Sequence, residues 1–243
     1  MREGRTMTGR RVARLGAVVA AGALVASCSN GKPSQELSPT DQARAENINF
    51  NAADFPAGWS KASAVTAAGE GGGDEVERML QECLTQEPEA SSSTADVGSE
   101  RFQLGAQRVS SNVTFARSEA SARADLADVK TERAQFCFKQ SIETVTRELE
   151  PVPTSVDQTT TTVFLTDVRA EPLPLAARYG DDSVALRATA VLRTIRGDDI
   201  LVTSDLVVFV KGRALVFASF VSSPTAFPSD LEQALMAKIA ARA

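Results

Sequence analysis

The sequence predicts an α+β fold in which an antiparallel β-sheet is packed on one side by helices, an α/β sandwich that ends in a C-terminal helix. Residues 183–221 contain three strand-length runs rich in apolar and β-branched residues, separated by the turn sequences RGDD and KGR. This is the pattern of an antiparallel meander. Apolar residues at helical spacing mark 118–149 and 228–243. Strict alternation over 183–195 gives one apolar and one polar face, so we expect the helices on the apolar face.

Local patterns place several further features. Acidic residues followed by a periodic apolar face predict a helix over 74–86. A change of phase in an alternating segment predicts a bulge or tight turn at 105–108. The apolar face of the long helical stretch drifts near Arg133, which indicates two helices or a kinked one. Ser229 and Glu232 have the spacing of a capping box at the start of the C-terminal helix.

The first 27 residues have the pattern of a lipoprotein signal peptide. Basic residues precede an uncharged apolar run at 15–26, which is shorter than the roughly 20 residues needed to cross a bilayer as a helix. Small residues follow and lead directly to Cys28, as in a bacterial lipobox. We expect residues 1–27 to be removed and Cys28 to be lipidated, with diacylglycerol and palmitate. The lipid would anchor the protein to the cell membrane on its extracytoplasmic face; the alternative is a plain signal peptide with an incidental cysteine.

The remaining chain is predicted to contain a tether and one domain. Residues 28–45 are rich in Ser, Pro, Gln and charged side chains, a composition that buries too little apolar surface to order itself, so we expect a flexible tether. Residues 46–243 are long enough for a single α+β domain with a substantial core.

Cys83 and Cys137 are the two cysteines that follow Cys28. An extracytoplasmic compartment permits disulfides, and two thiols have a single way to pair. Redox-active pairs favour close spacing such as C-x-x-C, whereas these two cysteines are far apart. We therefore expect a structural disulfide between them.

Composition excludes several classes of function. The chain contains no histidine, which excludes Ser-His-Asp and Cys-His catalysis and the commonest transition-metal ligand. Loss of residues 1–27 would change the formal charge from −5 to −9, and an acidic surface repels phosphate backbones, so we do not expect nucleic acid as a partner. We predict no catalytic residues, no cofactor and no metal site.

Several segments carry a family resemblance. They are DFPAGW at 54–59, the helix with Cys83, the helical segment that ends at Cys137, and the meander FVKGRALVFASFV at 209–221. Together they resemble actinobacterial sensor-domain lipoproteins similar to the PknH-type extracellular domain, and more loosely the Mog1/PsbP-like sandwich. The resemblance covers about residues 48–241 and implies a sensor-like domain. The PknH-type domain carries two disulfides, whereas this chain has cysteines for one.

Two non-catalytic functions fit these observations. The first is a ligand-binding or sensor domain at the cell envelope, whose small ligand or envelope protein would occupy a cleft between sheet and helices. Trp59, Phe102 and Phe115 would then line the cleft or, alternatively, fill the core. The second is a protein-interaction or scaffolding lipoprotein that uses the polar sheet face with Arg187, Thr189 and Arg193.

Two pairs of adjacent carboxylates suggest a third possibility, a hydrolase. Asp181 and Asp182 form one pair, and Asp198 and Asp199 form the other. Both pairs lie in predicted turns, where neighbouring side chains seldom converge on one proton. We therefore expect turn-forming roles, or a weak calcium site, and no enzyme.

Overall fold

The computed structural model describes residues 37–62, 72–84, 93–148, 152–156 and 159–243. The predicted signal peptide, Cys28 and tether residues 29–36 lie outside the described residues. No described helix is both long and apolar enough to span a membrane.

The helices are α1 (Pro39–Ile48), α2 (Gly72–Leu84), α3 (Glu119–Val129), α4 (Glu132–Glu148) and α5 (Ser229–Arg242), with a short 3-10 helix at Ala52–Asp54. The strands are β1 (Ser60–Lys61), β2 (Ser93–Gly98), β3 (Phe102–Leu104), β4 (Gln107–Ala116), β5 (Val152–Val156), β6 (Thr159–Pro172), β7 (Asp182–Thr194), β8 (Asp199–Lys211) and β9 (Ala214–Ser222).

The described strands form one antiparallel sheet of nine, which confirms the predicted fold class. Its order is β1-β3-β4-β9-β8-β7-β6-β5, and β2 pairs with the second half of β4, beyond the short β3. The predicted meander is β7, β8 and β9, with turns at the predicted RGDD and KGR sequences. Gly197 and Gly212 have φ angles of 93° and 56° in these turns, values that glycine adopts without the strain of a Cβ. A tight turn, with Gly105 at φ 59°, joins β3 to β4 as expected.

Helices cover both faces of the sheet, so the prediction of helices on one side alone is wrong. Val207 and Phe209 of β8 pack in a cluster with α1 and α5. Leu206, Val208 and Val210 of the same strand pack in a second cluster with α2, α3 and α4. Alternation along β7 indicated one apolar face, but the consecutive apolar residues of β8 and β9 are the pattern of central strands buried on both sides.

Helix α1 also corrects the predicted boundary between tether and domain, because it includes residues that were assigned to the tether. Ser38 caps the helix by accepting a hydrogen bond from the Asp41 amide at 3.3 Å. Asp41 and Ala45 are buried. Arg213, in the β8–β9 turn, donates to Asp41 at 2.7 Å. The ordered domain therefore extends N-terminal to residue 46, and its first helix is held by a distant ion pair together with Ala45 and Ile48, which are buried in the core.

The predicted disulfide joins Cys83 of α2 to Cys137 of α4. The long helical stretch is broken between α3 and α4 at Lys130 and Thr131, close to the predicted break at Arg133. Beyond this break, Cys137 and Phe138 of α4 are buried against the sheet. The disulfide consequently fastens α2 to the helical layer on this side of the sheet.

Candidate functional site

One region of the sheet face on the α1 and α5 side is exposed. We call it the open face and define it by the side chains that β6, β7 and β8 present there. Cross-strand partners set its arrangement: Phe164 pairs with Arg193, Asp167 with Val191 and Arg169 with Thr189, while β8 continues the rows with Asp199 and Leu201. A bulge between Leu165 and Asp167 in β6 keeps these side chains on one face. The open face therefore consists of Phe164, Asp167, Arg169, Thr189, Val191, Arg193, Asp199 and Leu201.

Charged side chains on the open face are paired with each other. Arg193 makes two hydrogen bonds to Asp199, at 2.7 and 3.0 Å, and Arg169 donates to Asp167 at 2.8 Å. The hydrogen bond from Arg193 lowers the pKa of Asp199. Because each of these cations has an anion beside it, the open face presents little net charge.

Exposed apolar side chains lie between these pairs. Phe164 is 46% exposed, Leu201 is 40% exposed, and Ile195, in the turn that follows β7, is 70% exposed. Aromatic and aliphatic groups of this kind, surrounded by polar side chains, are typical of surfaces that bind other proteins.

A buried charged cluster lies in the sheet next to the open face. Arg187 of β7 donates two hydrogen bonds of 2.6 Å to Asp205 of β8, and Asp205 is fully buried. Glu232, in the first turn of α5, is 9% exposed and lies within hydrogen-bonding reach of Asp205. We call Asp205 and Glu232 the carboxylate pair.

The surroundings of the carboxylate pair favour a protonated Glu232. Burial, together with the charge of Asp205, raises the pKa of Glu232 to about 7, although Arg187 opposes this shift. Tyr179, from the loop before β7, is also buried, and burial with the charge of Glu232 raises the pKa of its phenol. Arg187 thus lies beside two carboxyl groups, those of Asp205 and Glu232, in a site with little access to water.

The aromatic residues proposed from the sequence as possible cleft residues do not lie together on the open face. Phe102 and Phe115 are buried in the core, and Trp59 packs on Phe55 and Phe227 with ring centroids 5.0 and 6.1 Å apart. Phe102 and Phe115 therefore fill the core, and Trp59 packs against it while partly buried.

The adjacent aspartate pairs hold turns and ion pairs instead of converging. Asp181 accepts from the Gly212 amide, Asp182 pairs with Lys130, Asp199 pairs with Arg193, and the Asp198 amide donates to Thr194. Among the described residues no group of three or more carboxylate or cysteine side chains converges to hold a metal ion.

The carboxylate pair was not predicted from the sequence. Asp205 is the one charged residue within the apolar run of β8, ILVTSDLVVFV, and a lone charge in a central strand is a usable signal. Glu232 was assigned to a capping box, which is wrong: Ser229 is the first helical residue, and the N-cap, Pro228, has no side-chain hydrogen bond. The Glu232 side chain turns toward the sheet instead.

The structural matches of this chain include a weak likeness to an extracellular domain. No family model and no curated protein matches the chain. Among solved structures, the extracellular domain of PknH from Mycobacterium tuberculosis is similar with 12% identity and a TM-score of 0.30. The match covers 63% of this chain and 66% of that one.

Proposed function

We propose that this protein is a lipid-anchored extracytoplasmic lipoprotein that acts without catalysis, by binding a protein partner of the cell envelope through the open face. The observation that carries the proposal is the pair of exposed apolar side chains Phe164 and Leu201, which lie on the sheet among charges that are already paired, with the exposed Ile195 in the adjoining turn. This is the second of the two functions that the sequence suggested.

The proposed location rests on two features. The lipobox pattern at Cys28 predicts attachment to the membrane surface. The Cys83–Cys137 disulfide fits an oxidising compartment outside the cytoplasm.

The chemistry of the open face favours a polypeptide partner. A polyanion or an anionic lipid surface is attracted by uncompensated basic charge, whereas Arg169 and Arg193 are each neutralised by an aspartate. Phe164 and Leu201 offer apolar area that a partner side chain can cover, and the flanking ion pairs offer a polar rim.

One observation supports the alternative function, binding of a small ligand. An open depression of about 380 Å³ lies at the loop before β7, lined by Leu175, Ala176, Ala177, Arg178, Asp182 and Ser183. A ligand bound there would appear as an added mass in native mass spectrometry and would be lost on denaturation. Its retention after substitution of Phe164 would separate this role from the open face.

Photo-crosslinking in intact cells tests the open face. A photoreactive amino acid in place of Phe164 or Leu201 is expected to trap a discrete envelope protein. The matched control carries the same group in place of Phe136, which is 57% exposed on α4. The trapped protein is then purified, and its affinity is measured for the variants Phe164→Glu and Phe136→Glu.

We expect Phe164→Glu to weaken this affinity at least about tenfold, as for an apolar interface anchor, and Phe136→Glu to leave it unchanged. Equal crosslinking from all three positions would contradict the proposal. So would an affinity that Phe164→Glu does not alter.

A further inference from the structure

The first turn of α5 is held to the sheet through the carboxylate pair and its arginine. Glu232 approaches Asp205 from the helix, and Asp205 is itself bound on both carboxylate oxygens by Arg187. This turn has no side-chain cap, so its attachment depends on side chains that reach the sheet. Among these, Glu232 is the charged one.

We propose that Glu232 is protonated and hydrogen-bonded to Asp205 while α5 is closed on the sheet, and that loss of the Glu232 proton releases the first turn of α5, so that the domain carries a pH-sensitive switch beside the open face. In the closed form the Glu232 hydroxyl donates to the Asp205 carboxylate, and Glu232, Asp205 and Arg187 together carry no net charge. When the proton leaves to solvent, two buried carboxylates face one guanidinium, and their repulsion is relieved by moving Glu232 outward.

The neighbouring elements do not offset the extra negative charge. From β6, Glu171 lies opposite Arg187 and adds a negative charge. From the loop before β7, Tyr179 contributes an un-ionised phenol. The basic residues of α5 are engaged elsewhere, since Lys238 donates to the Asp54 carbonyl and Arg242 donates to the Asp54 carboxylate. The pKa of Glu232, raised to about 7 by burial and by Asp205, agrees with this balance and places the switch near neutral pH.

The geometry of α5 confines the movement to its N-terminal end. The C-terminal end is fixed by Arg242, which donates to Asp54 and to the carbonyls of Ile48 and Asn49. The segment before α5 leads to the open face, where Ser223 donates to the Leu201 carbonyl at 2.8 Å. Release of the first turn therefore moves the border of the open face and leaves the core in place.

Trp59 supplies an intrinsic probe of this movement. It is the single tryptophan of the chain, and its ring packs on Phe227, two residues before α5. Fluorescence of the full-length protein in detergent is recorded between pH 5.5 and 8.5. In this range the aspartates whose pKa is lowered by partners, Asp41, Asp54, Asp182 and Asp199, stay ionised.

We expect the wild type to show one fluorescence transition with a midpoint near pH 7, and Glu232→Gln to show none, because the amide donates to Asp205 at every pH. The matched control is Glu171→Gln, which removes an exposed carboxylate on the other side of Arg187 and keeps the transition. The Tm of the wild type should fall by about 5 °C from pH 5.5 to 8, because the folded state holds a proton that the unfolded state has already lost. The Tm of Glu232→Gln should stay nearly constant.

Carboxyl-carbon NMR titration of the wild type tests the switch without a variant. A Glu232 midpoint near 7 is expected, and a midpoint near the ordinary glutamate value overturns the proposal. A Glu232→Gln protein that keeps the fluorescence transition also overturns it, as does a wild type without one. None of these measurements involves a partner, so failure of the switch and failure of the proposed binding function remain distinguishable.

Discussion

Arg242 shows how a single side chain fixes two chain segments that are nearly 200 residues apart. Its guanidinium donates to both Asp54 oxygens, at 2.7 and 2.9 Å, and to the carbonyls of Ile48 and Asn49. Asp54 is buried, and burial alone would raise its pKa; the hydrogen bonds from Arg242 and the Asn51 amide outweigh this and lower it. The pair therefore closes the end of α5 onto the segment that follows α1.

Substitution of Arg242 by alanine should lower the free energy of unfolding by about 3 kcal/mol, because it leaves the Asp54 carboxylate buried without its cation. Urea unfolding measures this loss. Arg147→Ala is the control, since Arg147 makes an exposed pair with Glu143, and such pairs contribute about 0.5 kcal/mol or less. The stabilisation from ionised Asp54 is present at neutral pH and is lost as the pH falls through the lowered pKa of Asp54. The free energies of unfolding of the wild type and of Arg242→Ala should therefore converge in strong acid. Equal midpoints for both variants at neutral pH would refute the assignment.

At the scale of elements, the sequence predicts what local patterns determine. The alternation of β7, the turns around Gly197 and Gly212 and the break before α4 are all encoded by nearby residues, and the structure contains each of them. Helix α1 is different. It has no strong apolar face, and its buried Asp41 is held by Arg213, 172 residues away. No local pattern records that contact, which explains its assignment to the tether.

The same reasoning explains the unpredicted part of the candidate site. Arg187, Thr189 and Arg193 could be placed on one polar face because strand periodicity is local. That Arg187 is neutralised by Asp205 depends on the register of two strands, and that Glu232 joins them depends on how α5 docks. In sequence, Ser229 and Glu232 fit a capping box as well as Glu232 fits a contact with the sheet. Tertiary packing decided between these uses of Glu232.

Truncation tests the role of α1. A chain that begins at Glu46 should be less stable than one that begins at Leu37 by about 3 kcal/mol or more, because Arg213 loses Asp41 and the core loses Ala45. Chemical unfolding of both proteins measures the difference. Asp41→Asn in the longer chain isolates the ion pair from the apolar contribution. If both chains unfold at the same denaturant concentration, residues 37–45 behave as the tether that the sequence suggested.

At the scale of the whole molecule, the core lies on both faces of the sheet, and the disulfide adds a covalent link on one of them. Layers of helices on both faces bury the central strands β8 and β9. The disulfide fastens α2, which precedes β2 and packs beside α4, and closes a loop with a sequence separation of 54 residues. In the chain-entropy account this contributes about 4 kcal/mol.

The membrane attachment and cellular compartment of the protein can be tested with Cys28 and the disulfide together. We expect the wild type to sediment with membranes and to incorporate radiolabelled palmitate, and Cys28→Ser to become soluble without label, because acyl chains on Cys28 are the proposed attachment. Cys83 and Cys137 serve as the internal control: in both proteins they should resist alkylation until a reductant is added, which shows that each chain was exported and folded. A Cys28→Ser protein that still sediments, with its disulfide formed, would mean that another feature attaches the chain. Rapid alkylation of the wild type without reductant would place the protein in a reducing compartment and refute the proposed location.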